Sequence, residues 1–489
     1  VLLRQVRLVP VGSTAPAELV DLRIVGDQIT ELGFELDRLT GEHELEADGR
    51  WLIPGLWDQH THLGQWARQG TRLDLAGSSS RAEAIGRVRA GLGNPGEVLV
   101  GGGFRPASWA EQPTTSALDD ASRTRPIVLV SGDAHSGWLN SAALHRFGLD
   151  HHDGLLREAE WFDLLPAVLA AEDAQVGPSA YADAMRAAAA RGVVGIVDYE
   201  FEPGFMRWAE RFDQVGVPLR VRTSTYPVDL DRAIAAGLHT GDRIDGLPLL
   251  TMGSLKIISD GSLNTQTAHC RQPYTDGRHG VQNVPGPELI DLLGRAARAG
   301  LSVALHAIGD AALQIALDAF AATGARGSIE HAQLAGTDQV AELARLGLVA
   351  SVQPAHLLDD RGVTERIWDE QRAARSFPLR ELVEAGVELA LGSDAPVAPL
   401  DPWLAMAAAV HRGEPTDVAW HPEHSLTSAQ VLAASTDGRC TPTTGAPADL
   451  VLLDADPLAH GDSATVAAHL RAMQVAATLV GGRLVHQAW

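Results

Sequence analysis

Eight short strand-forming runs recur through the middle of the chain, at 55–62, 193–199, 219–224, 255–259, 302–306, 328–331, 349–353 and 388–393. Helix-period segments fall between several of them, at 288–299, 310–322, 337–345 and 379–385. Strands that alternate with helices form a parallel sheet covered by those helices, and eight such units close on themselves. The pattern predicts an α/β fold, a (β/α)8 TIM barrel. The gap between the first and second runs is far longer than one crossover needs. Residues from about 70 to 185 therefore read as an insertion after the first barrel strand, with strand-like runs at 97–101 and 126–130 and an Ala-rich helix at 179–191.

The two ends of the chain look alike. Residues 19–25 and 28–32 alternate around Gly26-Asp27, a hairpin pattern, and 477–485 form a second hairpin turning at Gly481-Gly482 after a strand at 448–454. We expect one small β-sandwich domain composed of 1–54 and 437–489, with the barrel occupying 55–436. A length of 489 residues suits a large barrel with such appendages.

The net charge of −23, from 39 basic and 62 acidic residues, argues against nucleic acid or an anionic membrane as partner. No apolar stretch is long enough to span a bilayer. Two cysteines, Cys270 and Cys440, are too few for a disulfide framework or a thiolate zinc site, which fits a reducing cytoplasm. The expected partner is a small-molecule substrate, with association into a homo-oligomer left open.

The chemistry lies at the strand ends. The first run contains His60 and His62, and residues at i and i+2 share one face of a strand, so both can point into a barrel and share a metal ion. The 255–259 run carries Lys256, the only lysine in a chain that otherwise uses arginine. A buried lysine can lose its proton, which arginine does not. Its neutral amine can capture CO2 as a carbamate, an anionic group able to bridge two cations; a plain lysine on a strand edge is the alternative. His306, His331 and Asp394 stand at the C-terminal ends of later runs. In a parallel barrel these ends meet at one mouth, where active sites form. Imidazoles with carboxylate-type oxygens suit zinc foremost, with manganese, iron or cobalt as alternatives. The set predicts two divalent metal ions and CO2 or bicarbonate to carbamylate Lys256.

The strings Leu255-Lys256-Ile257-Ile258-Ser259-Asp260-Gly261-Ser262-Leu263, His306-Ala307-Ile308-Gly309-Asp310, Ile329-Glu330-His331-Ala332-Gln333 and Gly392-Ser393-Asp394-Ala395-Pro396 resemble the amidohydrolase superfamily, and within it the family-3 branch. So does 132–144 in the insertion. The resemblance implies that His60 and His62 bind the more buried metal with Asp394 close by, that carbamylated Lys256 bridges, and that His306 and His331 hold the outer metal. It places His135 toward the substrate, although a polar residue packing the insertion onto the barrel fits the same position. One departure stands out: Gln266 takes the place of an arginine frequent in the branch, which favours a neutral substrate unless His269 or Arg271 substitutes for it. Trp66, Trp109 and Trp138 are candidates to wall an apolar pocket, or are core.

These features imply hydrolysis of a C–N bond, in an amide, N-acyl or N-formyl compound, by a metal-bridging hydroxide with Asp394 as general base and acid. Cyclic amides, lactones or other esters are the alternative substrates on the same metals, and a non-catalytic scaffold is the remaining reading.

Overall fold

The computed structural model describes residues 1–489 apart from 95, 150–152, 174–178 and 217. All but 217 fall within the expected insertion, so that part of the expectation lies outside the described residues. The eight barrel strands are β1 (Leu56–Thr61), β2 (Val193–Asp198), β3 (Arg220–Thr225), β4 (Leu250–Ile258), β5 (Val303–Ala307), β6 (Gly327–His331), β7 (Val349–Val352) and β8 (Leu389–Leu391). Each pairs in parallel with the next in sequence order. The ring closes just past β1 and β8: Asp394 N donates to His60 O at 2.7 Å and His62 N donates to Ala395 O at 2.8 Å.

The strands are buried on both faces, since one side meets the barrel axis and the other the helices. Every residue of β1 and β2 is buried for this reason. Strand β4 starts five residues before the expected 255, because Gly253 and Ser254 interrupt its apolar run. The glycine is required there: a Cβ at 253 would lie 2.9 Å from the carbonyl oxygen of Thr223 on β3. Helices Gly286–Arg298, Asp310–Thr323, Thr337–Leu346 and Leu379–Glu384 stand where the periodicity puts them. Others, such as His356–Ile367 after β7 and Pro402–His411 after β8, were not anticipated from the pattern.

Both chain ends enter one sheet. Trp51–Pro54 runs antiparallel to Leu450–Leu453, which pairs with Val475–Val480 on its other side. Leu2–Leu8, Val20–Val25 and Gln28–Gly33 extend the N-terminal side, and Arg483–Gln487 the C-terminal side. The hairpin at Gly481-Gly482 has φ of 53° and 74° at its two central residues, a turn that glycine makes without steric cost. Leu3, Leu22, Leu52, Leu450 and Leu479 form part of a separate core for this domain.

The insertion contributes a five-stranded sheet in the order Leu155–Arg157, Ser136–Leu139, Ile127–Ser131, Leu99–Phe104 and Leu73–Asp74. Trp138 is wholly buried in its core, donates from its indole to Thr114 O at 2.9 Å and packs on Phe104 and Trp109. Trp109 donates to Ser78 O at 3.0 Å, and Trp66 packs on the barrel core. No helix among the described residues is long and apolar enough to cross a membrane.

A buried cation ties the outer helices to the region behind the site. Arg412, fully buried, donates to the carbonyls of Trp420, Phe377 and Ser376 at 2.8, 2.9 and 3.0 Å. Arg412→Ala takes a donor from each of the three carbonyls, of which Phe377 O still accepts from Leu379 N at 2.8 Å, and leaves a void, and is expected to lower stability by about 3 kcal/mol. Urea unfolding of the full chain checks this; an unchanged midpoint would show that the carbonyls find other donors.

Candidate metal centre

Asp394 is the hub of the site. It sits just beyond β8 with φ of 57°, a left-handed conformation that costs a non-glycine residue energy. The hydrogen bond from its N–H to His60 O helps hold it there. Its Oδ1 lies 3.4 Å from His60 Nε2 and 3.4 Å from His62 Nε2, while Oδ2 lies 3.8 Å from His356 Nε2. One carboxylate thus faces two clusters. His60, His62 and Asp394 bring ligand atoms within 4.8 Å of one another, and so do His331, His356 and Asp394. Burial would raise the Asp394 pKa, but the surrounding imidazoles, His60 foremost, hold it well below the carboxylate range.

His60 is oriented from behind. Its Nδ1 lies 2.7 Å from Glu330 Oε2 on β6, where the N–H form donates to the carboxylate and leaves the Nε2 lone pair toward Asp394. Burial lowers the His60 pKa to about 4, which keeps the ring neutral and ligand-ready. His331 ends β6 at φ of 71°. Its ring centroid is 4.4 Å from that of His306 and 5.1 Å from that of His60. His306, on β5, has Nε2 3.4 Å from Asp260 Oδ1 and 3.4 Å from Gly261 O. Burial pushes the pKa values of both His306 and His331 well below the ordinary range.

Lys256 enters from β4 and is 1% exposed. Its Nζ has no hydrogen-bond partner and lies 4.8 Å from the centroid of the Tyr199 ring. Burial lowers its pKa, favouring the neutral amine over the ammonium ion.

The donor set fits metal ions. Lys256 Nζ, His62 Nδ1, His331 Nδ1 and His356 Nε2 are all buried without a hydrogen-bond partner. Such groups cost about 1–3 kcal/mol each when left unsatisfied. A cluster of buried, unpartnered nitrogens around a carboxylate gains from cations that accept their lone pairs.

All six expected ligands, His60, His62, Lys256, His306, His331 and Asp394, line one cavity at the barrel mouth. His135 lines it too, with Nδ1 3.0 Å from Glu158 Oε2 and its ring 5.4 Å from His306. Against the burial that would lower it, the Glu158 carboxylate raises the His135 pKa to about 9. Trp138 and Gln266 do not line this cavity or its extension past His356. Trp138 is core, and Gln266 sits half-buried in a turn at φ of 55°. The aromatic walls are instead Phe162 and Phe201.

His356 is not legible from the strand ends, because it lies beyond the end of β7, at the start of a helix. The sequence Gln353-Pro354-Ala355-His356 was its only signal. Glu330 is not among the residues the sequence singles out, yet it precedes His331 on β6 and its carboxylate meets His60 within the barrel. Glu330→Gln is expected to weaken metal binding about 10- to 100-fold by loosening His60. Competition with a chelator of known affinity measures it; an unchanged affinity would remove Glu330 from the site's support.

The chain matches the model of the Amidohydrolase family over residues 44–486. It is 29% identical over 456 residues to the protein LONG AFTER FAR-RED 3 of Arabidopsis thaliana, covering 84% of this chain and 77% of that one. It is 26% identical over 502 residues to N-substituted formamide deformylase of Arthrobacter pascens, covering 91% and 90%. A crystal structure described as an uncharacterized metal-dependent hydrolase of Pyrococcus horikoshii OT3 aligns with a TM-score of 0.75 at 25% identity, covering 94% of this chain and 98% of that one.

Proposed function

The chain belongs to the amidohydrolase family, and on that premise we propose that it is a metal-dependent hydrolase of a small amide, N-acyl or N-formyl compound, cleaving the C–N bond. The observation that carries this reading is the Asp394 carboxylate shared by two histidine clusters, with Lys256 buried in the same cavity. The similarity to a deformylase of N-substituted formamides supports the choice of bond.

His60, His62 and Asp394 would hold one cation, and His331 with His306 the other, with His356 placed to join the second set. Lys256, once it has taken up CO2, would be an anionic ligand common to both. Divalent cations, zinc foremost, supply Lewis-acid polarisation of a carbonyl and lower the pKa of water to about 7.

The chain's own residues do the rest. Asp394 Oδ accepts the proton of the attacking water and delivers it to the departing nitrogen, so that an amine rather than an amide anion leaves. Glu330 keeps the His60 lone pair turned toward the carboxylate side. Phe162 and Phe201 wall the cavity and keep bulk water from the acyl group. The absence of a nucleophilic serine or cysteine elbow from the sequence fits direct attack by water.

The test is amine release from neutral N-formyl, N-acetyl and aryl-acyl amides, with matched esters, by protein loaded with zinc and bicarbonate. Release that a chelator removes and zinc restores supports the reading. Ester cleavage without amide cleavage would replace the C–N assignment.

A further inference from the structure

Beyond the metal cluster, one side chain lining the cavity is conspicuously idle. Asn264 is 3% exposed, and neither its Nδ2 nor its Oδ1 has a hydrogen-bond partner. The hydroxyl side chains beside it are engaged. Ser262 bonds to Asp133, and Thr265 and Thr267 both bond to Glu158. The backbone of the turn is also fixed, with Thr267 N donating to Ser262 O at 3.0 Å and Gln266 N to Leu263 O at 3.0 Å. Across the cavity Gln333 donates to Asp360 at 3.2 Å, so that amide is occupied. Asn264 therefore stands on a hydrogen-bonded turn in the cavity wall, with a donor and an acceptor that no protein group meets. Buried amides are ordinarily satisfied, so this one lacks its partner.

We infer that Asn264 is a specificity-determining residue that pairs with a neutral N–H/C=O edge of the substrate, a primary carboxamide or ureido group. A group with both an acceptor and a donor on one edge satisfies both Asn264 atoms at once. An ester or an N,N-dialkyl amide satisfies only one and leaves the Oδ1 unpaired. A carboxylate satisfies the Nδ2 and repels the Oδ1. The inference rests on the proposed hydrolase reading for the identity of the cavity, and it moves recognition on this turn from Gln266 to Asn264.

The experiment compares N-formylglycinamide with its N,N-dimethylamide twin, using the zinc-loaded full chain. Formate release gives kcat/KM for each. Calorimetric titration with the corresponding N-methanesulfonyl pair, which is not hydrolysed, gives Kd for each. The parent is expected to favour the primary amide about 10-fold in both measurements. Asn264→Gly should bring the two within about 2-fold, by loss on the primary amide, and Asn264→Asp, which keeps an acceptor, should retain part of the preference. Asn264→Ser serves in place of Asn264→Gly if that variant fails to fold. Equal treatment of the twins by the parent, or a preference that survives removal of the side chain, overturns the inference while hydrolysis continues to support the function. A preference in Kd that Asn264→Gly removes, with no formate released from either twin and no amine from the N-acetyl and aryl-acyl amides, upholds Asn264 and sinks the hydrolase reading instead.

Discussion

Lys256→Met is expected to hydrolyse amides on the order of 10³-fold more slowly than the parent while melting at the same temperature or higher. The two effects have one cause. Lys256 is buried with an unpartnered Nζ, so its amine contributes cost rather than stability to the metal-free fold. Methionine fills nearly the same volume without a polar atom, and should stabilise the metal-free protein by about 1–3 kcal/mol. Lys256→Arg should be equally inactive, since a guanidinium neither loses its proton nor takes up CO2. Steady-state amine release and thermal unfolding of metal-free protein measure the two halves. Full activity in either variant would end the carbamate reading. Lost stability in Lys256→Met would mean that the amine has a structural partner.

Asp394→Asn should lower kcat about 10²- to 10⁴-fold, the range of a lost general acid–base group. It should also lower the bound metal, because both histidine clusters lose the one carboxylate they share. Asparagine is nearly isosteric and tolerates the left-handed backbone that Asp394 adopts, so the fold should survive. Metal analysis after dialysis, beside the kinetics, separates the roles. Full metal with lost kcat assigns Asp394 to proton transfer alone, and full kcat removes it from the reaction.

Which parts could be read from the sequence follows from how local their signals are. His60 and His62 are legible because a strand's period of two places them on one face, and Lys256 because no other lysine competes with it. The barrel is legible because each strand and helix carries its own periodicity. His356 was not, since its place depends on how the loop after β7 folds back over the mouth rather than on any strand. Trp138 misled for the opposite reason. It lies in the insertion near His135 in sequence, but strand Ser136–Leu139 alternates, so Trp138 belongs to the insertion's core. Asn264 could not be singled out at all. Its meaning comes from the partners it lacks, and missing partners are a property of three-dimensional surroundings.

The closure of the barrel carries a consequence for how the protein is made. Ser393 N donates to Asp58 Oδ1 at 2.9 Å across a separation of 335 positions, beside the Asp394–His60 hydrogen bond. The contacts that complete the mouth are thus among the most distant along the chain, and such contacts form late because their loop-closure entropy is large. During synthesis His60 and His62 emerge long before Asp394 exists to join them. A nascent or truncated chain would offer paired imidazoles without the shared carboxylate, a weak and open binder of metal. Tight capture would wait for the last barrel strand, which would make metal retention a readout of a completed barrel.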